Sequence, residues 1–461
     1  MPSQRVLRFD HALTSEGWRR DVAVTIDPSG RITAMASASS EGERIAGAAL
    51  PGLANVHSHA FQRAMAGLTE RAGTGDDNFW SWRELMYRFL ARISPDDAEA
   101  IAALAYIEML ESGFTTVTEF HYLHHRPDGG FYDDPAEMSH RHVAAAADVG
   151  IGMTLLPVFY AHGNFGGRPP DAGQRRFLCD PDSFARLVQS AARHAPPGRI
   201  GIAPHSLRAV TPQELAVVDT ILTDGPRHIH VSEQTREVED CLAAHGTTPI
   251  RLLANSVELS PRWCLIHCTH ANPQEIELIA SAGAVAGLCP VTEANLGDGV
   301  FSARDFLDCG GRFGLGTDSN IQIGAAGELR QLEYSQRLQH RGRNVLAPRG
   351  RSTGERLFFD ALTGGRQAAG IEADPSAGSG ATMLGLQIGQ SADIVVIGLD
   401  GPEFTAAMPE QFLDIWIFAS PANPVRDVFA AGRHVVSEGR HRQRPAVERA
   451  YRAALSRIVA D

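Results

Sequence analysis

Near-continuous apolar runs of strand length recur through the middle of the chain, separated by segments with helical patterning. Eight stand out: LANVHSH (53–59), FTTVTEF (114–120), GMTLLPVFY (152–160), RIGIAPHS (199–206), HIHVSE (228–233), WCLIHCTH (263–270), AVAGLC (284–289) and RFGLGTDS (312–319). Apolar character that continues rather than alternates is what a parallel strand buried on both faces requires. The intervening segments carry helix signals. In ISPDDAEAIAALAYIEMLESG, Ser94 is an N-cap, Pro95 takes the first helical position, acids fill the first turn and Gly113 ends it. Eight strands alternating with helices over 50–385 predict a TIM-like (β/α)8 barrel, with a doubly wound sheet as the competitor.

The flanks read differently. RITAMAS, ADIVVIG and the strand–turn–strand pattern VRDVFAAGRHVVSEGRH are β-rich. Residues 1–49 and 386–440 are therefore expected to form one small β-sandwich domain built from both chain ends. The closing segment 441–461 sets Val447, Tyr451, Leu455 and Ile458 on one helical face, a docking helix. After the third strand, HGNFGGRPPDAGQRR (162–176) is a Gly/Pro/Arg-rich loop, either a lid or a surface excursion.

Composition narrows the class. Apolar residues make up 43% and charged residues 21% of 461, which suits a globular protein with a substantial core. A net charge of −12 argues against nucleic acid or an anionic membrane as partner. The N-terminus has no apolar signal region and no run of about 18 apolar residues occurs, so a cytoplasmic location is expected. Six cysteines show no Cys-x-x-Cys pair and read as reduced, mostly buried thiols. Every basic residue is arginine, because the chain contains no lysine. Schiff-base, P-loop and metal-bridging lysine chemistry are thereby excluded.

The polar residues at the strand ends favour the barrel. The first run ends in His57 and His59, the fourth in His205, the fifth in His230 with Glu233 three residues on, the sixth in His267 and the eighth in Asp318. Residues i and i+2 of a strand share a face, so His57 and His59 can reach one point. In a barrel all these ends converge on one mouth. A lone His-x-His says little; the joint pattern points to a metal, and imidazole with carboxylate suits Zn²⁺.

PGLANVHSH, HIHVSEQ, LIHCTH and GLGTDS, in this order and spacing, resemble the amidohydrolase superfamily over nearly the whole chain. The longer strings HSHAFQRAMAG, TEFHYLHH, APHSLRAV, HVSEQ and CPVTEANLGDG resemble the branch that hydrolyses N-formimino-L-glutamate in histidine degradation. The resemblance implies that His57, His59, His230 and Asp318 hold one Zn²⁺, with Fe²⁺ the competing ion. The missing lysine agrees with one metal, since binuclear relatives usually bridge two with a carboxylated lysine. It further implies that Glu233 shuttles protons, aided by His267 and Asp318.

Hydrolysing a C=N bond with loss of ammonia needs a nucleophilic water at neutral pH and a proton for the leaving nitrogen. A dicarboxylate substrate calls for arginine, whose guanidinium pairs bidentately with carboxylate. Arg208 in HSLRAV and Arg83 in FWSWRELMYRF are the candidates, with Gln62, Tyr122 and His205 at positions that line the family's pocket. A homodimer is also implied. A second reading keeps the site and changes the substrate to a nucleobase-like ring: guanine, cytosine or adenosine-like. A third, from a different class, is a non-catalytic metal-binding protein on this fold. Against it stand Glu233 and His267, which a retired site loses first.

Overall fold

The computed structural model describes residues 4–72, 78–371 and 385–460. The chain opens with β1 (Arg5–Thr14), β2 (Gly17–Ile26), β3 (Ile32–Ala36) and β4 (Glu43–Pro51). It then enters the barrel with β5 (Leu53–Ser58), β6 (Phe114–His121), β7 (Gly152–Phe159) and β8 (Ala203–Pro204). The barrel continues through β9 (Arg227–Val231), β10 (Trp263–His267), β11 (Val285–Leu288) and β12 (Arg312–Leu315). The chain returns to the first sheet with β13 (Ile394–Ile397), β14 (Val425–Ala430), β15 (Arg433–Ser437) and β16 (Arg440–His441).

The eight middle strands pair in parallel in the order β8-β7-β6-β5-β12-β11-β10-β9. Bridges Ile202↔Arg227 and Ser206↔His230 join the ends and close the barrel. β5, β6, β9 and β10 are buried along their whole length, as their unbroken apolar character requires. The expected strand over 199–206 is shorter than its sequence suggests. Pro204 offers no N–H to a ladder, so pairing there is reduced to two residues and isolated bridges at Ile200, Ile202 and Ser206.

Between β5 and β6 run α1 (Phe79–Leu90) and α2 (Pro95–Glu111). The Ser94 side chain caps α2, accepting from Asp97 N at 3.2 Å, and Pro95 opens the helix as predicted. α2 buries residues around most of its circumference because it lies between β6 and the C-terminal helix Arg444–Val459. That last helix buries Val447, Ala454 and Ile458, with Tyr451 and Leu455 half-buried against the same core. Its polar edge is tied to α2 by the Arg444–Glu111 and Arg457–Asp97 ion pairs.

The two flanks pair with each other, as one mixed eight-stranded sheet ordered β16-β15-β14-β13-β4-β1-β2-β3. β1 runs parallel to β4, and β13 joins the C-terminal part to the N-terminal part by pairing antiparallel with β4. Leu7, Phe9, Val22, Val24, Ile394, Val396 and Phe429 form its separate apolar core. All six cysteines are free thiols, five of them buried and Cys309 exposed. No helix among the described residues is long and apolar enough to cross a membrane.

Candidate active site

β5 delivers His57 and His59 to the barrel mouth, and the turn after β12 delivers Asp318 beside them. The two segments are laced together: Thr317 N and Asp318 N both donate to His57 O at 3.0 Å, and His59 N donates to Asp318 O at 3.0 Å. Asn320 completes the lacing. Its Nδ2 donates to Ser58 Oγ (3.2 Å), His59 O (3.2 Å) and Asp318 O (3.1 Å), while Thr317 Oγ1 donates to its Oδ1 (2.6 Å). A Cβ at Gly316 would lie 2.7 Å from both His57 Cβ and Cys289 Sγ, so only glycine allows this approach. Asp318 (φ +43°) and His267 (φ +69°) both sit in the left-handed region, uncommon for residues with side chains and concentrated at functional sites.

His57, His59, His230 and Asp318 form a buried metal site. His57 Nε2 lies 3.0 Å from His230 Nε2 and 3.4 Å from Asp318 Oδ1, and His59 Nε2 lies 3.2 Å from that same oxygen. Metal–ligand bonds of about 2.0–2.1 Å at tetrahedral angles separate neighbouring ligand atoms by about 3.3 Å, so the spacing fits a single divalent ion. Hydrogen bonding fits as well. His59 Nδ1 donates to Phe120 O (2.9 Å) and His230 Nδ1 to His205 O (2.9 Å), which leaves each Nε2 as a bare lone pair aimed inward. Burial pushes all three imidazoles below their ordinary pKa, so they are neutral ligands rather than imidazolium ions.

His267 stands just outside this set. Its Nδ1 donates to Glu293 Oε1 (3.2 Å), and its Nε2 faces Glu233 Oε1 and Asp318 Oδ2, each at 3.8 Å. Burial acts to lower its pKa, but Glu233, Glu293 and Asp318 together outweigh it and push it up to about 10. Burial raises the Glu233 carboxyl, opposed by His267 and Arg208. The arrangement therefore favours a proton on His267 at neutral pH, facing Glu233 across 3.8 Å.

The remaining predicted residues come together in one chamber above the metal site. Gln62, Arg83, Tyr122, His205 and Arg208 line it with His59, His230, Glu233 and Asp318. Gln62 Nε2 donates to Tyr122 OH (3.0 Å), and the Tyr122 ring meets His205 at 5.6 Å. Arg208, buried, donates through Nη2 to Glu233 Oε2 at 3.2 Å. Its guanidinium lies 5.5 Å from the Phe79 ring, and that of Arg83 lies 4.7 Å from Trp80.

Several residues that shape the site were not singled out from the sequence. Glu293 orients His267 and also accepts from Cys289 N at 2.8 Å. Glu237 accepts from Glu233 N at 2.9 Å. Tyr87, Tyr160 and Phe177 build an aromatic wall with Phe79 and Trp82. The aromatic density of NFWSWRELMYRF is the one visible signal for that wall, and it covers Phe79, Trp82 and Tyr87. Of the 162–176 loop, Gln174 and Arg176 are buried, and Gln174 Nε2 donates to Tyr160 OH at 2.6 Å, so its far end backs this wall.

Comparison with known proteins agrees with this geometry. The amidohydrolase family model matches residues 48–351. The chain is 47% identical over 463 residues to formimidoylglutamate deiminase of Pseudomonas aeruginosa, covering 98% of each. It is 26% identical over 398 residues to the 5-methylthioadenosine/S-adenosylhomocysteine deaminase of Natronomonas pharaonis, covering 84% of this chain and 81% of that protein. Among solved structures, an amidohydrolase from Brucella melitensis superposes with a TM-score of 0.93 at 48% identity, covering 99% of this chain and 100% of that one. With its closed parallel barrel, its His/His/His/Asp site and these relatives, the chain belongs to the amidohydrolase family.

Proposed function

We propose that this chain is a mononuclear zinc deiminase that hydrolyses N-formimino-L-glutamate to N-formyl-L-glutamate and ammonia, a step of histidine degradation. The observation that carries the reading is a pair of arginines, Arg83 and Arg208, in the same chamber as the His/His/His/Asp metal site. The 47% identity to a formimidoylglutamate deiminase over nearly the full length supports the same substrate.

His57, His59, His230 and Asp318 would hold the ion, and Fe²⁺ is the competitor for the same ligands. A divalent ion there supplies a water acidified enough to attack near neutral pH. Glu233 takes a proton from the attacking water and returns it to the leaving nitrogen, which then departs as ammonia. His267, held protonated by its carboxylate neighbours, donates toward the tetrahedral centre as its charge develops. The substrate's C=N carbon gains the water oxygen as the formyl C=O, and both water protons end on the ammonia side. Arg208 and Arg83 pair with the two substrate carboxylates. Arg208 must then redirect its fork from Glu233, which leaves that carboxylate free to accept the water's proton.

The aromatic wall favours one other substrate, a planar ring stacked between Phe79, Tyr122 and Tyr160. Ammonia release from N-formimino-L-glutamate, with guanine, cytosine and adenosine alongside, separates the two. Turnover of formiminoglutamate is the expected result. Arg208→Gln should then lower kcat/KM by about 10–200-fold, the worth of one charge-assisted pair. Ring turnover, or unchanged activity in that variant, would overturn the dicarboxylate reading. The family resemblance also carries a cytoplasmic homodimer, and sedimentation of the purified chain tests the dimer.

A further inference from the structure

At the opposite end of the barrel from the metal site, the starts of β5 and β6 meet the mixed sheet around a cleft of about 540 Å³. Its lining brings Arg31, Arg199 and Arg366 together with Asp393, the one acid among the described residues that line it. Each arginine arrives separately: Arg31 just ahead of β3, Arg199 ahead of β8, and Arg366 on the helix Thr353–Ala368.

Among the described residues these cations have few partners. Arg31 Nη1 donates to Gly389 O at 2.7 Å. Arg199 has one long bond, from Nε to Met153 O at 3.4 Å. The Arg366 Nε is buried without a partner. Asp393 Oδ1 is already engaged by the Ala431 N–H at 2.8 Å. Burial pushes both inner guanidiniums down, Arg199 to about 10, and the Asp393 charge offsets only part of this. Among the described residues, Asp393 is the one acid set against the half-buried Arg199 and Arg366, and partly buried cations favour a matching anion. In a chain of net charge −12, three clustered arginines facing one acid make a local inversion of sign.

We propose that this cleft is a second ligand site, separate from the catalytic chamber, that binds a small doubly charged oxyanion, a phosphate or a dicarboxylate, through Arg199 and Arg366 with Arg31 at the rim. The planar guanidinium fork matches both oxyanions bidentately, and Thr115 and Thr116 line the same wall. Arg199 and Arg366 belong to the barrel and Arg31 to the sheet, so the bound anion ties the two together and stabilises the fold by mass action.

The test titrates inorganic phosphate and glutarate against the metal-loaded full chain at constant ionic strength. We expect a saturable rise in Tm and, by equilibrium dialysis with labelled phosphate, about one anion per chain. Saturation by one oxyanion alone supports the site and names its source; saturation by both supports the shared chemistry. Arg199→Gln/Arg366→Gln, read against its own ligand-free Tm, should lose the rise, while Arg208→Gln in the catalytic chamber should keep it. Should the double variant fail to fold, Arg366→Lys keeps the charge and loses the fork, and should weaken binding about tenfold. No saturable binding of either anion, a rise unchanged in the double variant or in Arg366→Lys, or a rise abolished by Arg208→Gln would each overturn the proposal.

Discussion

His230 shows how little of a side chain's chemistry resides in the side chain alone. Its Nδ1 donates to His205 O, and that single bond decides which nitrogen faces the metal site. Asn320 does comparable work from outside the ligand set by joining Ser58, His59 and Asp318. Asn320→Ala should lower metal affinity by about 10–100-fold with the fold retained, measured by competition with a chromophoric chelator. Glu233→Gln should leave metal content unchanged and lower kcat by about 10²–10⁴-fold, because the proton shuttle is removed and the ligands are not. The strand-end residues were legible in the sequence because each closes an apolar run, and the choice of ligands among them rested on the family resemblance, since His-x-His alone says little. Asn320 and Glu293 were not, because Ser58, His59 and His267 lie on or beside other strands and nothing near Asn320 or Glu293 in sequence marks them.

The elements were legible to different degrees for equally physical reasons. The capped start of α2 follows from Ser94, Pro95 and Asp97 alone, since a cap closes within four residues. The apolar stripe of the C-terminal helix was likewise readable from its period, and the structure adds Ala454 to it. What that stripe packs against could not be read from the period. Ile458, about 2% exposed, sits in the main core, so Ile458→Ala should cost about 2–4 kcal/mol in chemical denaturation. A cost below about 1 kcal/mol would mean that the helix is only loosely attached. β8 was overread because an apolar run reports burial, whereas a ladder also needs the N–H that Pro204 lacks.

At the scale of the whole molecule, burial sets a pH dependence that no local pattern reveals. Glu119, on β6 and fully buried, has its carboxyl pushed up to about 8 by desolvation, against the opposing hydrogen bond from Ala60 N. The folded chain therefore binds that proton more tightly than the unfolded chain does. Its contribution to stability is fully present below the ordinary carboxyl range and is lost as pH rises through about 8. Glu119→Gln removes this proton from the balance while keeping an acceptor for Ala60 N. Relative to that variant, wild type should lose on the order of a few kcal/mol between pH 5 and pH 8, read from denaturation midpoints. Parallel slopes for the two would show that Glu119 titrates normally. The sequence by itself determined the alternation of strands and helices, the β character of both flanks and the residue types at the strand ends. Each of these depends on periodicity or residue identity over a few neighbours. Only the tertiary structure decided that Ser58 lies beside Asp318, that the two flanks form a single mixed sheet joined by β4 and β13, that His267 donates to Glu293, and that three arginines meet beneath the barrel. Those are contacts between residues distant in the chain, made by barrel closure and desolvation, and no local period encodes either.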